Sequence, residues 1–418
     1  MTTVKLTIPE GHVDWRTKGI WQPGDPIPDR EFAAAGHPLF GGAFTWPLLV
    51  ARRSALDHNI AELASFCSTR NLEFAPHGKT SMAPALFEAQ LNAGAWGITV
   101  ATAGQALACR AFGVPRVLLA NELLDPAALG WIARQLDQGW ELLLFADSAA
   151  GVQAASTAAA AAAGSRPIRV LAELGYPGGR TGCRDATELR AVAQAAAAAP
   201  GVELAGVAAY EGGIESLSAA SRYLGAVRAA ATELADGGLL PEEVIVTAGG
   251  SAYFDLVAAE LGGDWLPGHQ LRVILRSGAY VSHDNGLYQG RTPFTRITGD
   301  LEAALEMWAQ VTSVPERGLA LVGMGKREAP YDAGLPVPLR VRHADGRVTA
   351  AAGLSVVQFN DHHAFLSVSE SVPDGTRLAP GDLICFGISH PCTAFDKWSV
   401  IPVIDDGYTV TDLLRTYF

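Results

Sequence analysis

From about residue 72 to residue 280 the chain repeats one local pattern: an apolar run of strand length, then a stretch rich in alanine, leucine and glutamate. The runs are 72–78 (LEFAPHG), 96–102 (WGITVAT), 116–121 (RVLLAN), 141–147 (ELLLFAD), 168–174 (IRVLAEL), 204–210 (LAGVAAY), 243–248 (EVIVTA) and 272–277. Their apolar residues are continuous rather than alternating. That suits strands buried on both faces and joined by helical crossovers into a parallel sheet. Eight such units close a (β/α)8 barrel of the TIM type. The competing architecture, a doubly wound open sheet, has a glycine-rich nucleotide loop after its first strand. Here that strand runs instead into His77-Gly78-Lys79. The alanine runs at 158–163 and 195–199 fit outer helices, because alanine is the best helix former.

The texture changes near residue 286, where the chain becomes dense in valine, proline, glycine and aspartate. "LPVPLRVRHADGRVTAA" contains Asp345-Gly346, a hairpin signal. The expected organisation has three parts: an N-terminal arm over 1–45 packing on the β domain, a barrel over 46–285, and a mostly β domain over 286–418. The segment 46–52 (WPLLVAR) reads as a strand ahead of the barrel, and it or the arm is expected to join the second domain. With 418 residues, 49% hydrophobic and 18% charged, the chain can bury a large core. A net charge of −12 argues against a nucleic-acid partner, which needs clustered lysine and arginine. No stretch is long and apolar enough to span a membrane, and "MTTVKLTIPEGHVDWR" lacks the apolar centre of a signal peptide. Five scattered cysteines suggest reduced thiols and a cytoplasmic location.

Catalytic groups of a barrel lie where its strands end. Those positions hold Lys79, Thr102, Asn121-Glu122, Asp147, Arg180, Tyr210-Glu211, Gly249-Gly250-Ser251 and Gly278-Ala279-Tyr280. Lys79 is either a solvated loop lysine or one that forms a Schiff base with a carbonyl. "TAGGSAYFD" and "RSGAY" are either simple turns or phosphate cradles. In a cradle, glycine lets backbone amides approach closely and a following helix favours an anion. "ELGYPGGRTGC" is either a long loop or a device that brings Arg180 to a flat anionic or aromatic ligand. "GMGKRE" at 323–328 lacks the spacing of a nucleotide-binding P-loop.

A lysine at the first strand end, with glycine clusters at the last two, is the layout of a barrel that holds pyridoxal phosphate. The ordered motifs "PHGKTSMAP", "VLLANEL", "GGRTG", "AYEG", "TAGGSAYF" and "SGAYVSHD" sharpen the match. Together the chain resembles the D-threonine aldolase / D-serine dehydratase branch of the fold-type III, alanine-racemase-like enzymes. The resemblance covers about residues 45 to 400. It implies that Lys79 is the catalytic Schiff-base lysine, that Arg180 lies near the pyridine ring and that Tyr210 lines the pocket. It further implies that Gly249, Gly250, Ser251, Gly278 and Tyr280 hold the phosphate, and that the enzyme is a homodimer with a small D-amino acid substrate.

A second site is suggested by "FGISHPCTAFDKW". His390 and Cys392 are two apart, so in an extended segment they point to one side. An imidazole and a thiolate aimed at one point suit Zn2+, and two ligands leave open positions for catalysis. The alternative is a buried cysteine beside a turn histidine. The resemblance implies a divalent metal held by His-x-Cys, as in the dehydratases, where the aldolases have His-x-Asp. "NDHHAFLSV" departs from the Glu-His-Gly of relatives, and one of His362 and His363 is expected in the pocket unless both are surface residues. The implied reaction is dehydration and deamination of a D-3-hydroxy amino acid to a 2-keto acid and ammonia. Retro-aldol cleavage to glycine and an aldehyde is the alternative, and a non-catalytic pyridoxal-phosphate homeostasis protein a further one.

Overall fold

The computed structural model describes residues 3–370 and 377–418. The chain forms two compact units. One holds the residues up to Thr7, 63–79 and 87–278; the other holds 8–62, 80–86 and 279 onward. Among the described residues no helix is long and apolar enough to cross a membrane.

In the first unit every expected run forms a strand: β1 (Glu73–Phe74), β2 (Ile98–Val100), β3 (Arg116–Glu122), β4 (Glu141–Ala146), β5 (Ile168–Leu174), β6 (Val202–Ala209), β7 (Glu243–Ala248) and β8 (Gln270–Leu275). Chain neighbours are sheet neighbours, all parallel, and β8 pairs with β1. A parallel bridge between His77 and Thr99 closes the ring into a barrel. The apolar runs supply a shared core that includes Leu118, Leu143, Phe145, Leu171, Ile245 and Ile274. Each such large side chain contributes about 1.5–3 kcal/mol when fully buried. The alanine-rich crossovers start on side-chain caps: Ser148 accepts from the Gly151 amide, and Asp185 from the amides of Thr187 and Glu188. The first alanine run ends its helix at Ala162, with Ala163 in the left-handed conformation.

The N-terminal ends of the strands carry ion pairs. Arg272 of β8 binds Glu73 of β1 through two bonds of 2.8 and 2.7 Å and Glu243 of β7 at 2.8 Å. Arg169 of β5 binds Glu203 of β6 at 2.9 Å. That leaves the C-terminal ends for chemistry.

The second unit is built around the long strand Leu305–Glu316. It pairs antiparallel with Leu383–Gly387 and with Leu48–Arg52, and the latter runs parallel to Val400–Ile404. The expected hairpin is present: Val337–Arg342 pairs with Val348–Ala350 around Asp345-Gly346, and Gly346 has φ +85°. The segment 48–52 joins this unit, as expected of it or the arm, and the unit resumes at 279 rather than 286. Residues 48–52 belong to this sheet because Leu48 and Leu49 register against Trp308 and Met307. Residues 279–285 also belong to this unit. The arm divides: residues 8–45 lie in this unit, with Arg415 bound to Asp29, whereas the Thr7 amide donates to Phe112 O in the barrel unit.

One barrel strand depends on a glycine. In β6 the register slips beside β5, and Gly206 has φ +145°; a Cβ there would sit 1.9 Å from Ile245 O of β7. Gly206→Ala is expected to destabilise the protein by about 3 kcal/mol or more. Gly225, inside helix Leu217–Asp236, is the converse case, since an added methyl group there would meet nothing within 4 Å. Gly225→Ala is expected to stabilise by about 0.5–1 kcal/mol. Urea unfolding of both variants checks the pair.

Candidate active site

β1 gives way at Pro76 to a single 3-10 turn, Gly78–Thr80, that carries half-buried Lys79. Gly78 must be small there, since a Cβ would lie 2.8 Å from both Ile98 and Phe87. Beside it His77 donates its backbone amide to Ser277 O of the neighbouring strand's exit, at 3.2 Å. Burial, followed by the charges of Lys79, Arg276 and Arg180, pushes the His77 imidazole well below its ordinary value. His77 is therefore neutral at physiological pH and adds no charge beside the lysine.

Across the barrel, β7 runs into Gly249-Gly250-Ser251 and then helix Phe254–Leu261. Gly249 has φ +99°, which only glycine adopts without strain. The Gly249 and Gly250 amides donate to the Glu211 carboxylate at 3.1 and 2.7 Å. Sequence alone places Glu211 at a strand end and assigns it no role. Ser251 follows this turn, and Gly278 ends the barrel unit after Ser277. Tyr280 is buried in the turn Ala279–Val281, which lies in the second unit.

Arg180 lies in the exposed loop after β5, its guanidinium 4.2 Å from the centre of the Tyr210 ring. The two share a cavity of about 240 Å³ with Glu173, Tyr176 and Tyr223. Burial, then the neighbouring Glu211 charge, raises the Tyr210 phenol. Lys79, Arg180, Tyr210, Gly249, Gly250, Ser251 and Gly278 thus all stand at strand ends of one unit.

The structure adds groups to which the sequence alone assigns no role. Arg276 is buried, donating to Thr247 Oγ1 and Ala209 O at 2.6 Å each. Glu122 and Glu173 face each other from β3 and β5 with no donor to either Glu122 oxygen among the described residues. Burial first, then Glu173 and Asp147, raise the Glu122 carboxyl to about 8. The available signal was a carboxylate near the end of a largely apolar run, as at Glu173 in IRVLAEL.

In the second unit, His390 Nδ1 donates to Asp332 Oδ2 at 2.6 Å, and Thr393 Oγ1 donates to Asp332 Oδ1 at 2.7 Å. Cys392 Sγ lies 3.4 Å from Thr80 Oγ1. The expected extended backbone is not what brings the pair together. Pro391 is helical, with φ −61° and ψ −43°, and Cys392 opens the short helix Cys392–Phe395. The neighbouring Cys392 first, opposed by burial and then aided by Asp332, raises His390 to about 9. Asp332 on Nδ1 leaves Nε2 as the ligating nitrogen. Among the described residues no group of three or more His, Cys, Asp or Glu side chains is arranged to hold a metal. His362 and His363 do not join the pair. Both are exposed in an open depression with Lys326, Asn360 and Asp361, and His362 Nδ1 pairs with Glu328 at 2.9 Å.

Two family models match the chain. "Alanine racemase, N-terminal domain" covers residues 52–267. The chain belongs to that family. "Putative serine dehydratase domain" covers residues 304–404. The chain is 25% identical to D-threonine aldolase of Arthrobacter sp, over 92% of both chains. It is 24% identical to 3-hydroxy-D-aspartate aldolase of Paracoccus denitrificans, over 80% of this chain and 84% of that one. Among solved structures, D-threonine aldolase from Filomicrobium marinum superposes with a TM-score of 0.77 at 24% identity, covering 91% of this chain and 97% of that one. D-threo-3-hydroxyaspartate dehydratase from Delftia sp. HT23 gives 0.69 at 22%, covering 89% and 97%. These neighbours are fold-type III pyridoxal-phosphate enzymes, and the chain stands among pyridoxal-phosphate-dependent lyases.

Glu122 gives this unit a pH signature. Its folded value of about 8 exceeds its ordinary 4.5, so between those values the folded protein binds a proton that the unfolded chain does not. Stability from this group is full below the lower value and falls as pH rises through the window. Glutamine cannot lose that proton. The melting temperature of Glu122→Gln relative to wild type is therefore expected to climb steadily from about pH 5 to about pH 9, as thermal melts across that range would register.

Proposed function

We propose that this chain is a pyridoxal-phosphate- and metal-dependent dehydratase of D-serine-like D-3-hydroxy amino acids, releasing a 2-keto acid and ammonia. The observation that carries the reading is the His390–Cys392 pair. An imidazole locked through Nδ1 by Asp332, beside a thiol, is the donor set of a soft divalent ion such as Zn2+. A cysteine-to-alanine mutant of the related dehydratase was solved in the metal-free form, which supports the same reading. The barrel residues fit the cofactor as well. Lys79 is half-buried at a strand exit, Arg180 lies over Tyr210, and the turn at Gly249 and Gly250 has room only for hydrogen where a side chain would crowd Leu275 and Tyr210.

When bound, pyridoxal 5'-phosphate supplies an electron sink for charge at the substrate Cα, and the metal a Lewis acid at the β-hydroxyl. Lys79 Nζ would hold the cofactor covalently and, as a free amine, would take the proton from the substrate Cα. Arg180, 4.2 Å from the Tyr210 ring centre, would supply a positive charge to the cofactor, and Tyr210 would line its pocket. His390 Nε2 and Cys392 Sγ would hold the ion, and Asp332, bonded to Nδ1, would keep the imidazole from rotating. Overall one water is lost from Cα and Cβ and one is taken up, so the net products are a 2-keto acid and ammonia. One observation favours retro-aldol cleavage instead: the D-threonine aldolase relative aligns over 92% of both chains. In that case the β-hydroxyl loses its proton and the Cα–Cβ bond breaks, giving glycine and an aldehyde.

Lys79→Ala is expected to abolish borohydride-fixable cofactor and to lower turnover by about 10²–10⁴-fold. Mass spectrometry of the reduced, digested protein checks the first point, and cofactor still fixed at another lysine would refute the assignment. Incubating the holoenzyme with a panel of D-3-hydroxy amino acids separates the two reactions: keto acid with ammonia marks the dehydratase, glycine with aldehyde the aldolase. Chelation and Cys392→Ala are each expected to stop product formation while the cofactor's visible absorbance and the melting temperature stay near wild type. Metal analysis of the active enzyme completes the test, since an active protein free of divalent ions would contradict the metal role.

A further inference from the structure

The turn that carries Gly249 and Gly250 is bonded on every side. Both amides donate to Glu211, at 3.1 Å to Oε2 and 2.7 Å to Oε1. Both carbonyls accept: Gly249 O from the Arg276 amide at 3.2 Å, and Gly250 O from Ser277 Oγ at 3.0 Å. Glu211 is 0% exposed, one residue beyond Tyr210 at the exit of β6. Buried Arg276 balances its charge electrostatically while hydrogen-bonding elsewhere, to Thr247 and Ala209. No side chain could replace either glycine comfortably. A Cβ on Gly249 would fall 2.5 Å from Leu275, and one on Gly250 3.2 Å from the Tyr210 ring and 3.6 Å from Glu211 Oε1.

A carboxylate that accepts two successive backbone amides makes the contact a phosphate would make with a glycine-rich turn. The chain's own anion already occupies those two donors, so a phosphate must be met by what the turn presents next. We propose that Glu211 is a positioning residue: by gripping the Gly249 and Gly250 amides it fixes the turn so that Ser251, together with Gly278, meets the cofactor's phosphate. This rests on the pyridoxal-phosphate reading given above. It predicts an effect confined to the phosphate end of the ligand. Glutamine is a sharp probe, because its amide has one acceptor oxygen and its NH2 would face a backbone N–H, donor against donor.

The experiment titrates apoenzyme with pyridoxal 5'-phosphate and, separately, with pyridoxal, which keeps the ring and aldehyde but lacks the phosphate; protein fluorescence reports binding. Glu211→Gln is expected to weaken pyridoxal 5'-phosphate binding by about tenfold or more and to leave pyridoxal within about twofold of wild type. Glu211→Asp keeps both oxygens on a shorter stem and is expected to recover part of the phosphate-dependent affinity. If circular dichroism shows that Glu211→Gln does not fold, the aspartate variant decides, with a loss for the phosphorylated ligand alone as the expected result. Wild-type affinity for pyridoxal 5'-phosphate in the variant, or equal weakening of both ligands, overturns the inference. Wild-type apoenzyme that binds neither ligand overturns the cofactor reading itself, and is told apart because no variant is needed to see it.

Discussion

Lys79 hangs from the seam that closes the barrel, and that seam is only a few backbone bonds long. β1 has two residues in its ladder with β8, and only two further bonds, Ala75 N to Leu275 O at 2.8 Å and His77 N to Ser277 O at 3.2 Å, carry the pairing past it. The closure is carried on the other side by Trp96 N to Phe74 O at 2.7 Å, Thr99 N to Pro76 O at 2.9 Å and Thr99 Oγ1 to Ala75 O at 2.6 Å. A longer first strand would carry Lys79 outward along the strand direction. The early stop instead folds residues 78–80 into a tight turn, with Gly78 packed against Ile98 and Phe87. The position of the amine therefore follows from the tight turn that Gly78 permits directly after His77.

The rest of the barrel mouth manages charge at close quarters. Unpaired ions are costly away from water, and at Glu211, His77 and Glu122 the buried group is either neutralised or bonded. Glu211 is stabilised by two amides and by the nearby charge of Arg276. His77 is kept neutral by burial and three cations, and Glu122 by burial and a second carboxyl. Arg180 differs: it is exposed, above an aromatic face, and its loop is tied back by Gly175 N to Cys183 O and Cys183 N to Glu173 O, both 2.8 Å. A cation presented this way is available to a ligand, whereas Arg276 is committed to the protein.

In the second unit the same logic orients a histidine beside a cysteine rather than balancing a charge. Asp332 accepts from His390 Nδ1 and from the Thr393 hydroxyl, so one carboxylate orients the imidazole and anchors the turn that follows. The helical backbone at Pro391 makes this possible, because it brings Thr393, three residues on, back beside His390. An extended His-Pro-Cys would have left Asp332 only one of its two partners.

Local sequence is enough to specify the barrel, because each strand declares itself through a handful of adjacent apolar residues and each crossover through its helix formers and caps. It is also enough to mark candidate sites, since strand ends are local features: Lys79, the Gly249–Ser251 turn and the His390–Cys392 pair each stand out from a few residues. What those groups bond to is a matter of tertiary structure. The partner of the Gly249 amide is 38 residues away on another strand, and Glu122 meets Glu173 only because β3 and β5 end in the same mouth. Residues 48–52 read as a strand in isolation, yet their sheet is chosen by the register of Leu48 against Trp308, far along the chain. The backbone at Pro391 goes the same way, helical where the two-residue spacing alone suggests extension. Strand and helix are encoded by near neighbours, whereas a proton's location and an amide's acceptor depend on distant groups brought within about 3 Å, a distance that only folding sets.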